Sequence, residues 1–369
     1  MKRWIQVYLV PGAVLQSVMV GGGYGTGREI VEFFTRFGIW GGLAGIAVAT
    51  AAVAVIFALS LEIARDHRAF DYRSFFIVLL GPFWVLYEFL LVALVMLVLA
   101  VIGAAAGGVV EEELGIPRDV GVAIVLLAVV VLSFFGRELI TALLTYWSLA
   151  LYAVFLAYLV AVIATRGDSL LGALGATELG EGWFVSSLQY VFYNITAIPV
   201  ILFAARAIET RGEAFAAGGI GAVVAVAPAL LLHLSFGAAY PEILDAELPV
   251  YEMLGRLGIG ALTFAYLVVL FGTFIETGVG DIQGFLERLQ AWWGERTGGE
   301  LAPWFRALVA AVTMILAGAL SALGVAELIA SGYGTLSWGF MIVYVLPLLT
   351  IGVWRIVRGG RAAGNRVND

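Results

Sequence analysis

Along the chain, runs of about 20 or more apolar residues alternate with short polar segments. The runs cover 5–36, 39–62, 80–107, 118–136, 139–164, 183–208, 214–237, 257–281, 303–324 and 334–356. A run of this length spans the hydrocarbon of a bilayer, where each backbone N–H and C=O must find its partner inside the segment. The pattern therefore predicts an all-α integral membrane protein with ten transmembrane helices. Lys2 and Arg3 ahead of the first run look like the start of a signal peptide. The apolar run continues through Gly21–Gly27 without a small-residue cleavage pattern, so it reads as the first span.

Composition agrees. Of 369 residues 62% are hydrophobic and 13% charged, whereas a soluble domain carries about 25% charged residues. Such a surface needs lipid as its solvent, which excludes a soluble enzyme. The net charge of −7 offers no basic patch and excludes nucleic acid as a partner. Cysteine is absent, so disulfides, thiolate nucleophiles and Cys-ligated metals are excluded. The two histidines, His67 and His233, are too far apart to share a helical metal motif.

Orientation follows from Lys and Arg. With the N-terminus in the cytoplasm, 15 basic residues fall on cytoplasmic segments, Arg137, Arg361 and Arg366 among them, and 4 on outer ones. Both termini are then cytoplasmic and the protein is a multi-pass protein of the cell membrane. The outer loops are acidic, as in Glu111-Glu112-Glu113.

The spans repeat. The first three have counterparts in the sixth to eighth, so the chain reads as one transmembrane domain, 1–369, with repeats at about 5–166 and 182–357. Five spans per half is odd, so the second half lies inverted, an arrangement that points to a transporter whose site is where interrupted helices meet. Span 1 carries the glycine run Gly21-Gly22-Gly23-Tyr24-Gly25-Thr26-Gly27, and span 6 carries Tyr193-Asn194-Ile195-Thr196-Ala197-Ile198-Pro199. Pro199 removes a helical hydrogen bond.

Four stretches together resemble the YkvI-like family of prokaryotic membrane proteins: Gly23–Glu29, Ala106–Glu112, Tyr190–Asn194 and Phe274–Gly278. That family looks like a distant branch of the amino acid–polyamine–cation superfamily. The resemblance implies the LeuT-type fold, a 5+5 inverted repeat with discontinuous helices 1 and 6. Tyr24 stands where the family pattern has Phe, and Arg28 where it has Gln.

The candidate chemistry gathers in three places. In span 1, the backbone of Gly21, Gly22, Gly23, Gly25 and Gly27, with Tyr24, Thr26 and Glu29, can line a substrate pocket. A Gly23–Gly27 packing pair is the plainer reading, and it leaves the other glycines unexplained. Arg28 and Glu32 either pair at i, i+4 near the outer interface or serve the site. In span 6, Tyr190, Tyr193, Asn194 and Thr196 can bond a solute; the tyrosines could instead belong to an interfacial aromatic belt. Asn194-Ile195-Thr196 matches a glycosylation sequon, which mid-membrane placement disqualifies. In span 8, Thr273, Glu276 and Thr277 share one helical face. The resemblance places the Met19 and Gly22 carbonyls opposite them, a candidate Na⁺ site, with Glu276 as a proton carrier if the coupling ion is H⁺. The bland alternative makes Glu276 a solvated carboxylate close to Asp281. Glu88 has no partner evident in sequence. Glu62, Arg137, Glu138 and Arg206 are expected to be solvated at cytoplasmic ends, and His233 to be a satisfied lone histidine. Trp292-Trp293 is expected in a cytoplasmic amphipathic stretch at the lipid interface.

These readings favour a secondary active transporter of a small polar, amino-acid-like solute, an ion-coupled symporter or exchanger, with no cofactor beyond Na⁺ as a candidate coupling ion. No P-loop is present to couple ATP. An intramembrane enzyme, or a channel or sensor on the same fold, is the competing expectation; no Ser/His dyad or paired Asp motif supports the enzyme.

Overall fold

The computed structural model describes residues 2–135, 137–175 and 179–358, with side chains for all of these except 22 and 134–149. The side chains of Arg137 and Glu138, and the residues Arg361 and Arg366, lie outside the described residues. Among the described residues every regular element is a helix.

The chain opens with α1 (Arg3–Tyr8), α2 (Val10–Met19) and two short helices, α3 (Gly22–Thr26) and α4 (Arg28–Phe33). Then come α5 (Gly38–His67), α6 (Tyr72–Leu80), α7 (Val85–Leu114), α8 (Arg118–Phe135) and α9 (Arg137–Gly175). Next are α10 (Trp183–Asn194), α11 (Ala197–Val200), α12 (Arg211–Gly237), α13 (Pro249–Leu257), α14 (Gly260–Thr297) and α15 (Pro303–Ser321). The final run, Val325–Arg358, contains α16 (Val325–Glu327) and α17 (Gly334–Phe340), with π-helical turns at Leu328–Tyr333, Met341–Val345 and Leu348–Gly352.

Seven helical stretches among the described residues are long and apolar enough to cross a membrane. The segments from Arg3 to Thr26, and α10 with α11, do not reach that length because each is divided into short helices. Large apolar side chains lie on the outside: Phe89, Phe264 and Ile315 are each 70% exposed or more. An aqueous surface does not tolerate that, and lipid does. The stretch 282–302, expected to be non-spanning, is largely the continuation of α14, whose 38 residues make a rod of about 57 Å. It therefore projects well past the roughly 30 Å hydrocarbon layer. At its far end the Arg296 guanidinium stands 4.3 Å from the Trp292 ring centre.

The centre is held by close helix approach. A Cβ on Gly12 would stand 2.5 Å from the Gly221 Cα, and one on Gly218 would stand 2.5 Å from the Ala58 Cα. Glycine at these positions lets α12 lie directly against α2 and α5. Around this centre α10 packs on α5, and α14 packs on α3, α7, α8 and α9. At the start of α12, Thr210 and Glu213 form a reciprocal capping box.

One expectation is corrected. Glu62 is not solvated: it is fully buried, accepting hydrogen bonds from Arg65 Nε at 2.8 Å and Arg211 Nε at 2.9 Å. Its location at a helix end suggested water, but the start of α12 folds over it. Glu88, open from sequence to either a paired structural or a functional role, pairs with Arg288 of α14 at 3.1 Å. His233 is buried and satisfied on both ring nitrogens, by Thr35 Oγ1 and the Ile39 carbonyl, each at 2.9 Å. Arg206 is exposed.

Candidate functional site

The glycine run leaves the helical path. After α2 ends at Met19, Val20 (ψ 65°) and Gly21 (ψ −167°) are non-helical. Gly27 takes φ 81°, and a Cβ there would also stand 2.5 Å from Phe236 and 2.9 Å from Val250, so both conformation and space demand glycine. Thr26 Oγ1 donates to the Gly23 carbonyl (2.7 Å) and accepts the Arg28 N–H (3.2 Å), serving backbone groups at the turn. A second turn follows α10. There the Asn194 amide donates to the Tyr190 carbonyl (3.0 Å), Thr196 Oγ1 donates to the Tyr193 carbonyl (2.6 Å), and Tyr87 Oη donates to the Thr196 carbonyl (2.9 Å). These are the bonds that a turn deep in the protein needs to satisfy its freed backbone.

A cavity of about 220 Å³ lies between the two turns. Gly21, Gly23 and Glu29 line it on one side, and Tyr193, Asn194 and Thr196 on the other. Leu91, Leu94 and Val98 of α7 give it an aliphatic wall, and Thr277, Asp281 and Arg288 of α14 a polar one. Tyr333 closes it, its ring stacked on Tyr193 with centroids 4.8 Å apart. Tyr193 Oη donates to Glu29 Oε2, and Glu29 Oε1 lies against Gly23, where an added Cβ would stand 2.5 Å from it. Glu29 is 4% exposed. Tyr24, Gly25, Thr26, Gly27 and Tyr190 are outside this lining. Tyr24 and Tyr190 are fully buried, Gly25 gives its carbonyl to Tyr266 Oη (3.1 Å), and Tyr190 packs edge-on to Phe34.

A neighbouring cavity of about 300 Å³ is lined by Val18 and Val20 at the end of α2, by Tyr152 of α9, and by Thr273, Glu276 and Thr277. The candidate coupling residues of α14 are therefore on one wall. Thr277 turns toward the glycine run: its Oγ1 is 3.5 Å from where a Gly21 Cβ would be. Thr273 Oγ1 donates to its own helix at the Val269 carbonyl (2.9 Å). Met19 lines the first cavity and Gly22 begins α3. Among the described residues, no group of three or more His, Cys, Asp or Glu is placed to hold a metal ion.

Asp281 and Arg288 are the residues that the sequence reading passed over. Asp281 was named only as a neighbour of Glu276, yet it lines both cavities, and its Oδ2 is enclosed with no hydrogen-bond partner among the described residues. The signal was in the spacing: Thr277, Asp281, Gly284 and Arg288 fall on one stripe of a helix.

Away from the cavity lining, Arg28 is 9% exposed. It donates to the Leu244 carbonyl at 2.7 Å, the Ala246 carbonyl at 2.9 Å and Glu32 at 3.1 Å. Glu32 also pairs with Arg36. Nearby, Glu247 accepts from Arg118 (2.5 and 3.2 Å) and from the Val325 N–H (3.0 Å). Burial pushes the Glu247 carboxyl up, but Arg118 and that N–H together hold it below the usual carboxylate value.

No family model matches the chain. Over 295 residues it is 26% identical to the uncharacterized membrane protein YkvI of Bacillus subtilis (strain 168), covering 75% of this chain and 80% of that one. The chain is similar to YkvI. The resemblance carried by the four motifs therefore holds. Solved structures show the fold. A manganese transporter of Eremococcus coleocola, in complex with an aromatic bis-isothiourea substituted compound, superposes with a TM-score of 0.58 at 15% identity, over 94% of this chain and 78% of that one. Mhp1 in an inward-facing conformation superposes with a TM-score of 0.58 at 13% identity, over 88% of this chain and 75% of Mhp1. Both are LeuT-fold transporters, and this membrane protein shares their fold.

Proposed function

We propose that the protein is a secondary active transporter of a small polar solute, working by alternating access as an ion-coupled symporter or exchanger. One observation carries the reading: a small mid-protein cavity lies between two backbone turns, one from each half of the chain, with polar groups from both on its wall. Unpaired polar backbone is tolerated at membrane depth where it borders such a cavity. The roles of two proteins that share the fold, manganese transport in one and nucleobase–cation symport in Mhp1, support the class.

On this reading the chain is a single transporter domain of ten spans in two inverted five-helix halves, about 5–166 and 182–357. Spans 1 and 6 are discontinuous and both termini are cytoplasmic, in the cell membrane. The contact pattern supports the repeat. Exchanging the halves turns α2 on α12 into α10 on α5, α7 on α8 into α14 on α15, and α8 on α14 into α15 on α7, and all six contacts are present. The substrate site takes Gly21, Gly23, Glu29, Tyr193, Asn194 and Thr196, the candidate residues that line the cavity. The coupling site takes Thr273, Glu276 and Thr277 with the Met19 and Gly22 carbonyls, for Na⁺ or, through Glu276, for H⁺. An enclosed Na⁺ wants several oxygens and a negative charge, and this set supplies both.

The test is a thermal-shift screen of the purified protein against amino acids, amines and nucleobases, with and without Na⁺. Stabilisation by a solute, lost in Asn194→Ala and Tyr193→Ala, is the expected result. Stabilisation untouched by both substitutions places the pocket elsewhere.

A further inference from the structure

The charges around the central cavity are unbalanced. Glu29 and Asp281 line it, and Arg288, the one basic residue among the described residues of its wall, is paired with Glu88 at 3.1 Å. Buried carboxylates need a compensating charge. Asp281 Oδ2 has no hydrogen-bond partner among the described residues, and Glu29 receives a neutral phenol from Tyr193. At an interrupted helix, an anionic group of a substrate would seek the freed backbone N–H groups. Here Glu29 already lies against Gly23, so the protein's own carboxylate fills that place.

We propose that the substrate is a small aliphatic organic cation without a carboxylate, an amine or a guanidine, whose charged group is met by Glu29 and Asp281. The proposal rests on reading this cavity as the transport site, and it departs from the amino-acid-like solute expected from sequence. Two further features fit. The stacked pair Tyr193 and Tyr333 presents aromatic surface beside Glu29, which attracts an ammonium or guanidinium. The aliphatic part of the lining, Leu91, Leu94 and Val98, suits a methylene chain and offers a hydrated ion nothing. A zwitterion would bring a third negative charge to a wall where Arg288, the one cation among the described residues, already pairs with Glu88. A bare metal ion would find two carboxylates, and among the described residues no group of three or more His, Cys, Asp or Glu is set to hold it.

The experiment is titration calorimetry on the full chain in detergent, with putrescine, agmatine, L-alanine and Mn²⁺ as probes. Putrescine or agmatine should bind, and Glu29→Gln and Asp281→Asn should each weaken binding by about tenfold or more. L-alanine should give no heat. If Glu29→Gln does not fold, Asp281→Asn alone carries the comparison. Binding of neither amine overturns the proposal, as does amine binding unchanged in the variants. Binding of L-alanine or Mn²⁺ that Asp281→Asn abolishes also overturns it. Uptake into proteoliposomes separates this from the transporter reading. An amine bound at Glu29 and Asp281 but never carried upholds the site and defeats transport, whereas an accumulated amino acid upholds transport and defeats the cation.

Discussion

Gly218→Ala adds one methyl group where α12 meets α5. The new Cβ would stand 2.5 Å from both the Cα and the N of Ala58, which are backbone atoms that no rotamer change can move. Carbon pairs prefer about 3.5–4.0 Å, so the two helices must part by about 1 Å. Overpacking of this kind costs about 1–3 kcal/mol, while alanine gains about 1 kcal/mol of helix propensity over glycine. The net expectation is a loss of up to about 2 kcal/mol. The next residue supplies the control. A Cβ on Gly219 would meet nothing within 4 Å, so Gly219→Ala keeps only the propensity gain. Thermal unfolding of both variants in one detergent, read by tryptophan fluorescence, should lower the midpoint for Gly218→Ala and hold or raise it for Gly219→Ala. Equal midpoints would refute the claim that glycine at 218 is required by the approach of the α5 backbone.

Other substitutions test other parts. Glu62→Ala removes the acceptor shared by Arg65 and Arg211 and should destabilise by about 2–3 kcal/mol after discounting for the partial exposure of both arginines; a thermal midpoint unchanged from wild type would make the cluster idle. The Glu247 carboxyl lies below its usual value when folded, so its contribution to stability is present above the unfolded carboxylate pKa and lost as pH falls through the folded one. Glu247→Gln should therefore flatten the acid limb of the stability profile, and a limb of unchanged slope would assign it elsewhere. Arg28→Gln gives up two carbonyl bonds to the outer loop, and hydrogen exchange across 242–248 should quicken while α14 stays protected. Under Na⁺ coupling, Glu276→Gln should weaken stabilisation by Na⁺; under H⁺ coupling it should flatten the pH dependence of uptake instead, and a change in neither makes the α14 cluster structural.

What could be read from sequence was local. Apolar run length gave an all-helical membrane protein, seven of whose helical stretches among the described residues are long and apolar enough to cross a bilayer, and the glycine run and the Asn194–Pro199 stretch drew attention to the segments that border the cavity. Pairings between distant segments left no such trace. Tyr193 reaches Glu29 across 164 positions, and Arg211 reaches Glu62 across 149. Glu62 was misread because a charge at a helix end is usually wet, and only the fold brings α12 over it. Glu88 found its partner in Arg288 because α14 runs beyond the expected span and carries that arginine alongside α7. Asp281 was not a site candidate because the span was taken to end there, and the helix continues. Tyr24 and Tyr190 were expected at the pocket, but neither is on the cavity lining. The direction of a side chain from an irregular glycine-rich segment cannot be counted off a helical wheel.

Secondary active transport is tested most directly by accumulation in proteoliposomes. The labelled probe is the solute that stabilises the purified protein most in the thermal-shift screen, with an inward Na⁺ or proton gradient as the only source of energy. The expected result is uptake to an internal concentration above that of the bath, collapsing when an ionophore dissipates the gradient. Uptake that only equilibrates with the bath and ignores the gradient, or label recovered as a different compound, would contradict it, pointing in the first case to a channel and in the second to an enzyme.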